Sequence, residues 1–296
     1  MIKNCTVLIT LHYSSTFIKD LVNYFDNQSL FEVFIVDSTK DPLDFKIPDF
    51  FNHLKVPNDT PFSVKMHQAL SQVKTKYVIW NPDDDFVSFE GLISGMNFLN
   101  NNRDYNSFYG QSILFNEKFR IYPTKSYSVN QTNSTQRLRY GFKKYDNRLN
   151  ALMRSSDLLN FYELYRSDFK TPSYIFEFTN AFYFLNKGKV KFSSIPFIFR
   201  RQMENSAGKI EFNYLKLWTQ NKYLEEKNNF VKLLASKENV SRELVKECLS
   251  LIYTSLTIPY LFKYVLYQAL LKLGFFKIKK HEAYKILCID KLGLKH

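Results

Sequence analysis

Three consecutive acids, Asp83-Asp84-Asp85, follow the run Tyr77-Val78-Ile79-Trp80-Asn81-Pro82, and no other stretch of this chain is as well equipped for chemistry. The apolar part of that run reads as a buried strand. Carboxylates crowded at the exit of a buried strand repel one another unless positive charge sits among them. A divalent cation is the simplest source, because carboxylate oxygens suit hard ions such as Mg²⁺ or Mn²⁺. In extended chain Asp83 and Asp85 point to one side and Asp84 to the other. One acid can then take the metal while its neighbour-but-one holds a ligand hydroxyl. A solvated turn is the plain alternative for such a triplet, so the flanking elements have to decide.

Those elements alternate. Residues Thr6 to Leu11 form an apolar, β-branched run, and Glu32 to Val36 forms a second that ends at Asp37-Ser38-Thr39. Between them Phe17, Leu21, Val22 and Phe25 recur at helical spacing behind the cap candidates Ser14, Ser15 and Thr16. A short strand is expected near His53-Leu54-Lys55-Val56. Thr60-Pro61 predicts a cap followed by proline at the first helical position, with Met66, Ala69, Leu70 and Val73 on one face. The strand Tyr77–Trp80 and the triplet come next. Ser88 caps a further helix whose apolar face is Phe89, Leu92, Ile93, Met96 and Leu99. This order predicts a doubly wound α/β sheet, in which ligands bind beyond the carboxyl ends of the strands. His12-Tyr13, Asp37 and Asp83–Asp85 all fall at such ends and are expected to share one cleft.

Beyond Tyr105 the pattern changes. Ser107 to Phe115 and Ala151 to Arg154 are strand candidates, and residues 122–147 read as a long polar connection. Tyr174 to Leu185 is apolar apart from Glu177, Thr179 and Asn180 and reads as a helix. Lys189 to Arg200 reads as a closing strand or hairpin, with Gly188 in its turn. From about Glu211 the chain reads as helices.

The bulk properties fit one large α/β domain with a helical appendage. The chain has 296 residues, 45% of them hydrophobic, which excludes a disordered protein. Its net charge of +13 favours anionic partners: phosphorylated substrates, acidic lipid or nucleic acid. The three scattered cysteines, Cys5, Cys248 and Cys288, lack metal-type spacing, and their odd number points to reduced thiols in a cytosolic compartment. The N-terminus lacks the pattern of a signal peptide.

Four pieces together carry a family resemblance: Val7-Leu8-Ile9-Thr10-Leu11-His12-Tyr13, Val33-Phe34-Ile35-Val36-Asp37-Ser38, the helix Phe62 to Val73, and Tyr77 to Phe86. They resemble a family-2-like glycosyltransferase of the GT-A fold, with a DxD-type motif at Asp83–Asp85. The first 110 residues or so carry the likeness, which weakens toward Arg200. The chain departs from the family pattern at Leu11-His12, where Pro-Thr is common, and at Asp37, where many members have two acids. The resemblance implies a Rossmann-related, mostly parallel sheet flanked by helices. It divides the chain into a catalytic domain over 1–210 and a helical C-terminal region over 211–296. Within the first, residues 1–110 form the nucleotide-sugar half and 111–210 the acceptor half.

By the same resemblance, Tyr13 packs on the donor base and Asp37 bonds the base or ribose. Asp83 holds ribose or sugar hydroxyls, and Asp85 binds the Mn²⁺ or Mg²⁺ that bridges the donor diphosphate. His12 and Asp84 join the donor site. Glu177 is the candidate general base of an inverting transfer, with a structural glutamate as its alternative. Arg200 and Arg201 are suited to a diphosphate or an acidic acceptor, as guanidinium matches phosphate geometry, with an exposed surface pair as the alternative; Arg148 and Arg154 are weaker candidates of the same kind. His53 and His67 read as ordinary surface or helix residues. The implied partners are a nucleotide-sugar donor and a glycan or lipid-linked acceptor of surface polysaccharide synthesis, and no nucleic acid. The expected location is cytoplasmic, with a peripheral place at the inner face of the membrane.

That last expectation rests on residues 251–296. They combine an apolar, aromatic run with Lys277, Lys279 and Lys280. Lys263, Lys272 and Pro259 argue against a spanning helix. A helix lying on an anionic membrane and a helix packed on the catalytic domain both fit the pattern. Two rival functions remain. A nucleotidyltransferase of related sheet type wants a Gly- and Lys/Arg-rich loop after the first strand, where this chain has His12-Tyr13-Ser14-Ser15. A basic binding module for membrane or nucleic acid has no need of three adjacent acids.

Overall fold

The computed structural model describes residues 4–12, 17–26, 28–115, 126–146, 148–168, 174–201, 224–252 and 254. Tyr13, most of the 251–296 tail and residues 202–223 lie outside them. The first half follows the expected alternation. Strand β1 (Cys5–Leu11) is buried along its whole length, helix α1 (Ile18–Asp26) buries Ile18, Leu21, Val22 and Phe25, and β2 (Glu32–Asp37) follows. Strand β3 (Asn52–Lys55), helix α2 (Phe62–Leu70) and strand β4 (Tyr77–Pro82) complete the parallel half. The cap of α2 is Pro61 itself, without a side-chain bond, one residue later than Thr60-Pro61 predicts.

Strand β5 (Asp85–Val87) and helix α3 (Phe89–Asn101) come next, and Ser88 accepts from Gly91 N at 3.1 Å as its expected cap. Strand β6 (Tyr105–Phe115) leads to helix α4 (Ser134–Lys143), which replaces part of the expected polar connection. Two features make α4 a helix despite its polarity. Asn133 caps it, and Leu138 and Phe142 are buried with Arg137, whose Nε and Nη2 donate to Leu185 O and Asn186 O, both at 2.8 Å. Those carbonyls end helix α6 (Tyr174–Lys187) and have no partner inside it. Strand β7 (Leu152–Arg154) and helix α5 (Ser155–Tyr165) precede α6, and strand β8 (Lys189–Arg201) follows it. Helices α7 (Leu224–Lys237) and α8 (Arg242–Ile252) close the described chain. Helix α8 packs against α4, where Arg139 Nε pairs with Glu247 at 2.8 Å.

All eight strands share one sheet in the order β3-β2-β1-β4-β7-β6-β8-β5. Strands β1 to β4 are mutually parallel, β7 runs against both neighbours, β6 and β8 are parallel, and β5 lies antiparallel on β8. Only Asp83 and Asp84 separate β4 from β5. Three chain steps reach at most about 11 Å. Four strand positions of a flat sheet span roughly 19 Å. The sheet therefore curls until its β5–β8 edge returns beside the end of β4. Among the described residues no helix is long and apolar enough to cross a membrane.

Candidate active site

The triplet sits on this seam. The chain turns at Asp83 and Asp84 instead of running on extended, so simple alternation does not set where the carboxylates point. Asn81, fully buried, pins the turn by donating from Nδ2 to Pro82 O and Asp85 O, both at 2.8 Å. Asp85 enters β5 directly opposite Arg200, and its Oδ1 accepts from Arg201 N at 3.2 Å. Burial pushes the Asp85 carboxyl up to about 7; Arg200 opposes the shift, and Asp84 and Asp83 add to it. Burial, then the Asp84 charge, likewise raises Asp83 to about 7, against the pull of Lys65. Asp84 is raised by burial, with Arg201 and Arg200 opposing. Burial thus favours the protonated form of all three acids, and the neighbouring cations only partly offset it.

The two arginines divide their work, because successive strand residues face opposite ways. Arg200 Nη2 donates to Asn150 Oδ1 at 2.7 Å, and Asn150 Nδ2 donates to Trp80 O at 3.0 Å. Arg201 lies 4.1 Å over the Phe17 ring and pairs with Asp20 at 3.1 Å, which ties α1 to the closing strand.

The other strand ends converge through Ser38. Its hydroxyl donates to Leu11 O at 2.8 Å, faces His12 Nδ1 at 3.0 Å and accepts from Lys65 Nζ at 2.9 Å. Burial and then the Lys65 charge lower His12, with the Ser38 bond opposing. Lys65 is 3% exposed, and burial lowers its ammonium to about 8 although Asp83 and Asp37 favour the charge. Asp83 and Asp37 both act on this buried cation, which places it between the two acidic sites, and sequence reasoning missed it. The signal was available: Lys65 occupies a position on the apolar stripe of α2, beside Phe62, Met66 and Ala69.

Asp37 is 2% exposed. Burial alone would raise its carboxyl, but Thr39 N and Oγ1 at 2.8 and 2.7 Å and Lys55 Nζ at 3.1 Å hold it below the ordinary value. His53 is exposed, as expected of a surface residue, and its Nε2 stands 3.4 Å from the other oxygen, so it borders this site. His67 instead bonds Glu163 on the outer face. Asp37 and Lys55 border a hollow of about 500 Å³ whose apolar wall includes Pro42, Leu43, Phe45 and Ile47.

Glu177 is buried in the first turn of α6. Its neighbour Phe176 packs 5.6 Å from Phe62, which packs 5.2 Å from Trp80 at the end of β4. That ring chain links the first turn of α6 to the strand that leads into the triplet. Tyr13 lies outside the described residues. Among these residues no group of three or more His, Cys, Asp or Glu side chains could by itself hold a metal ion. A Mg²⁺-like ion would need only one or two of these carboxylates, with waters and substrate phosphates completing its shell.

No family model matches the sequence, and no curated protein does either. Solved structures do. TarS of S. aureus, residues 1–349, matches with TM-score 0.57 at 14% identity, over 86% of this chain and 72% of that one. The same TarS segment in complex with UDP-GlcNAc matches with TM-score 0.59 at 16% identity over the same shares. A further TarS structure gives 0.52 at 15% identity, where this chain spans 52% of the other's length. At such identity the likeness is one of fold: the curled, helix-flanked α/β sheet is of the GT-A type.

Proposed function

We propose that the chain is a glycosyltransferase that moves a sugar from a nucleotide-sugar donor to a glycan or lipid-linked acceptor in surface polysaccharide synthesis, with inversion and with Mn²⁺ or Mg²⁺. The observation that carries the proposal is the acidic turn Asp83–Asp85 at the exit of β4, ringed by Lys65, Arg200 and Arg201, on this fold. The TarS complex with UDP-GlcNAc supports a nucleotide-sugar ligand for such a fold.

In this reading the hollow beside Asp37 takes the nucleobase, its apolar wall against the ring and Asp37 toward a polar edge. Lys65 places a positive charge between nucleoside and triplet, where the diphosphate must pass. Asp85, with Asp83 or Asp84, would hold the metal, which when bound neutralises the charge of the departing diphosphate. Asp83 would bond sugar hydroxyls, and Glu177 would accept the proton of the attacking acceptor hydroxyl. Inside the protein these charges act with less screening than in water.

The decisive experiment is a hydrolysis and binding screen over a panel of nucleotide sugars, with Mn²⁺, with Mg²⁺ and with chelator. Metal-dependent turnover of one donor supports the proposal. Pyrophosphate release from a nucleoside triphosphate and a sugar phosphate would instead establish a nucleotidyltransferase. Failure of every nucleotide sugar to bind would leave the basic binding module.

A further inference from the structure

A second cavity lies on the β6–β8 side of the triplet, across the sheet from Asp37. Its volume is about 70 Å³, and Arg148, Asn150, Ser112, Ser126, Asp146 and Arg200 are among the side chains lining it. A single water needs roughly 10–15 Å³ on this scale, so a tetrahedral oxyanion fits. The guanidiniums are unusually placed. Arg148 is 6% exposed, and its Nε and Nη2 have no hydrogen-bond partner among the described residues. Nε of Arg200 also lacks one. The Arg148 guanidinium stands 5.5 Å from the centroid of the Tyr109 ring and hydrogen-bonds to the Tyr109 side chain, which fixes it while Nε and Nη2 stay unpartnered. Asp146 offsets part of the charge, but its carboxylate accepts from Ser126 Oγ, and no described ion pair joins it to either arginine. Buried donors without partners are costly to the fold. Two guanidiniums facing one small cavity satisfy that cost best by sharing an anion, for which their planar forks are shaped.

We infer that this cavity is an oxyanion site that receives the acidic group, a phosphate or carboxylate, of an anionic acceptor. The assignment to the acceptor rests on the proposed function. There the donor runs from Asp37 past Lys65 to Asp85, and the β6–β8 side is where the second substrate enters. The donor diphosphate is the rival source of the same chemistry.

Calorimetric titration of the full chain with inorganic phosphate, against chloride at equal ionic strength, tests the inference. The wild type should bind one phosphate saturably, and should still bind it when UDP and Mn²⁺ are saturating. Arg148→Met should weaken phosphate binding at least tenfold while UDP–Mn²⁺ binding stays within about twofold. If Arg148→Met does not fold, Ser112→Asp serves in its place, because it puts a carboxylate into the cavity with both guanidiniums kept. It should abolish phosphate binding and raise the melting temperature. Displacement of phosphate by UDP would assign the cavity to the donor and overturn the inference. So would phosphate binding unchanged in the folded variants, or absent from the wild type. Phosphate bound normally by a chain that binds no nucleotide would instead refute the glycosyltransferase reading and leave the oxyanion site standing.

Discussion

Replacing Asp85 by asparagine should make the metal-free protein more stable above pH 7, although it removes the residue assigned to the metal. Asn keeps the shape and still accepts the Arg201 N–H, but it carries no charge. In the folded chain the Asp85 carboxyl is pushed from 3.8 to about 7 by burial. Between those values the folded state holds a proton that the unfolded state has lost. The contribution of this group to wild-type stability therefore falls as pH rises from about 4 to 7, then levels off. At about 1.36 kcal/mol per pH unit the full displacement is worth about 4 kcal/mol. Asp83 and Asp84 share the titration, so the gain from one substitution at pH 8 should be on the order of 2–4 kcal/mol. Urea denaturation of both proteins in chelator, from pH 4.5 to 8.5, measures it. The two stabilities should differ least at the acid end and diverge upward. Adding Mn²⁺ at pH 8 should stabilise the wild type and leave Asp85→Asn unmoved. Parallel pH curves, or equal rescue by metal, would refute the reasoning.

Three other outcomes are expected. Lys65→Met should fold, because methionine fills the same buried space, yet should weaken binding of the donor nucleotide by tenfold or more in a titration; unchanged affinity would remove Lys65 from the donor path. Glu177→Gln should preserve donor binding and slow transfer by roughly 10²–10⁴-fold, the usual range for a lost general base; rates within a few-fold of wild type would make Glu177 structural. The full chain should co-sediment with phosphatidylglycerol vesicles at low salt and lose this on truncation after Thr254, since each basic residue near such a surface contributes about 1 kcal/mol. Binding that survives the truncation would clear the tail of that role.

The sequence by itself determined the strand ends and the acids on them. Periodicity is local, so β1, β2, β4 and the N-cap of α3 were legible, and with them His12, Asp37 and the triplet. The polar surface of α4 hid a helix whose stability comes from Arg137 on the carbonyls of α6, a contact between segments far apart in the chain. Lys65 looked like one more lysine in a basic chain until burial placed it on Ser38 between Asp37 and Asp83. His53 gained its meaning in the same way, from the register of β3 on β2. Above all, the sequence order says nothing of β5 leaving β4 to pair with β8. A two-residue turn can reach that partner only if the sheet curls, and the curl is set by the packing of every strand between them. That closure alone brings Arg200 opposite Asp85 and, through Asn150, opens the Arg148 cavity beside the triplet.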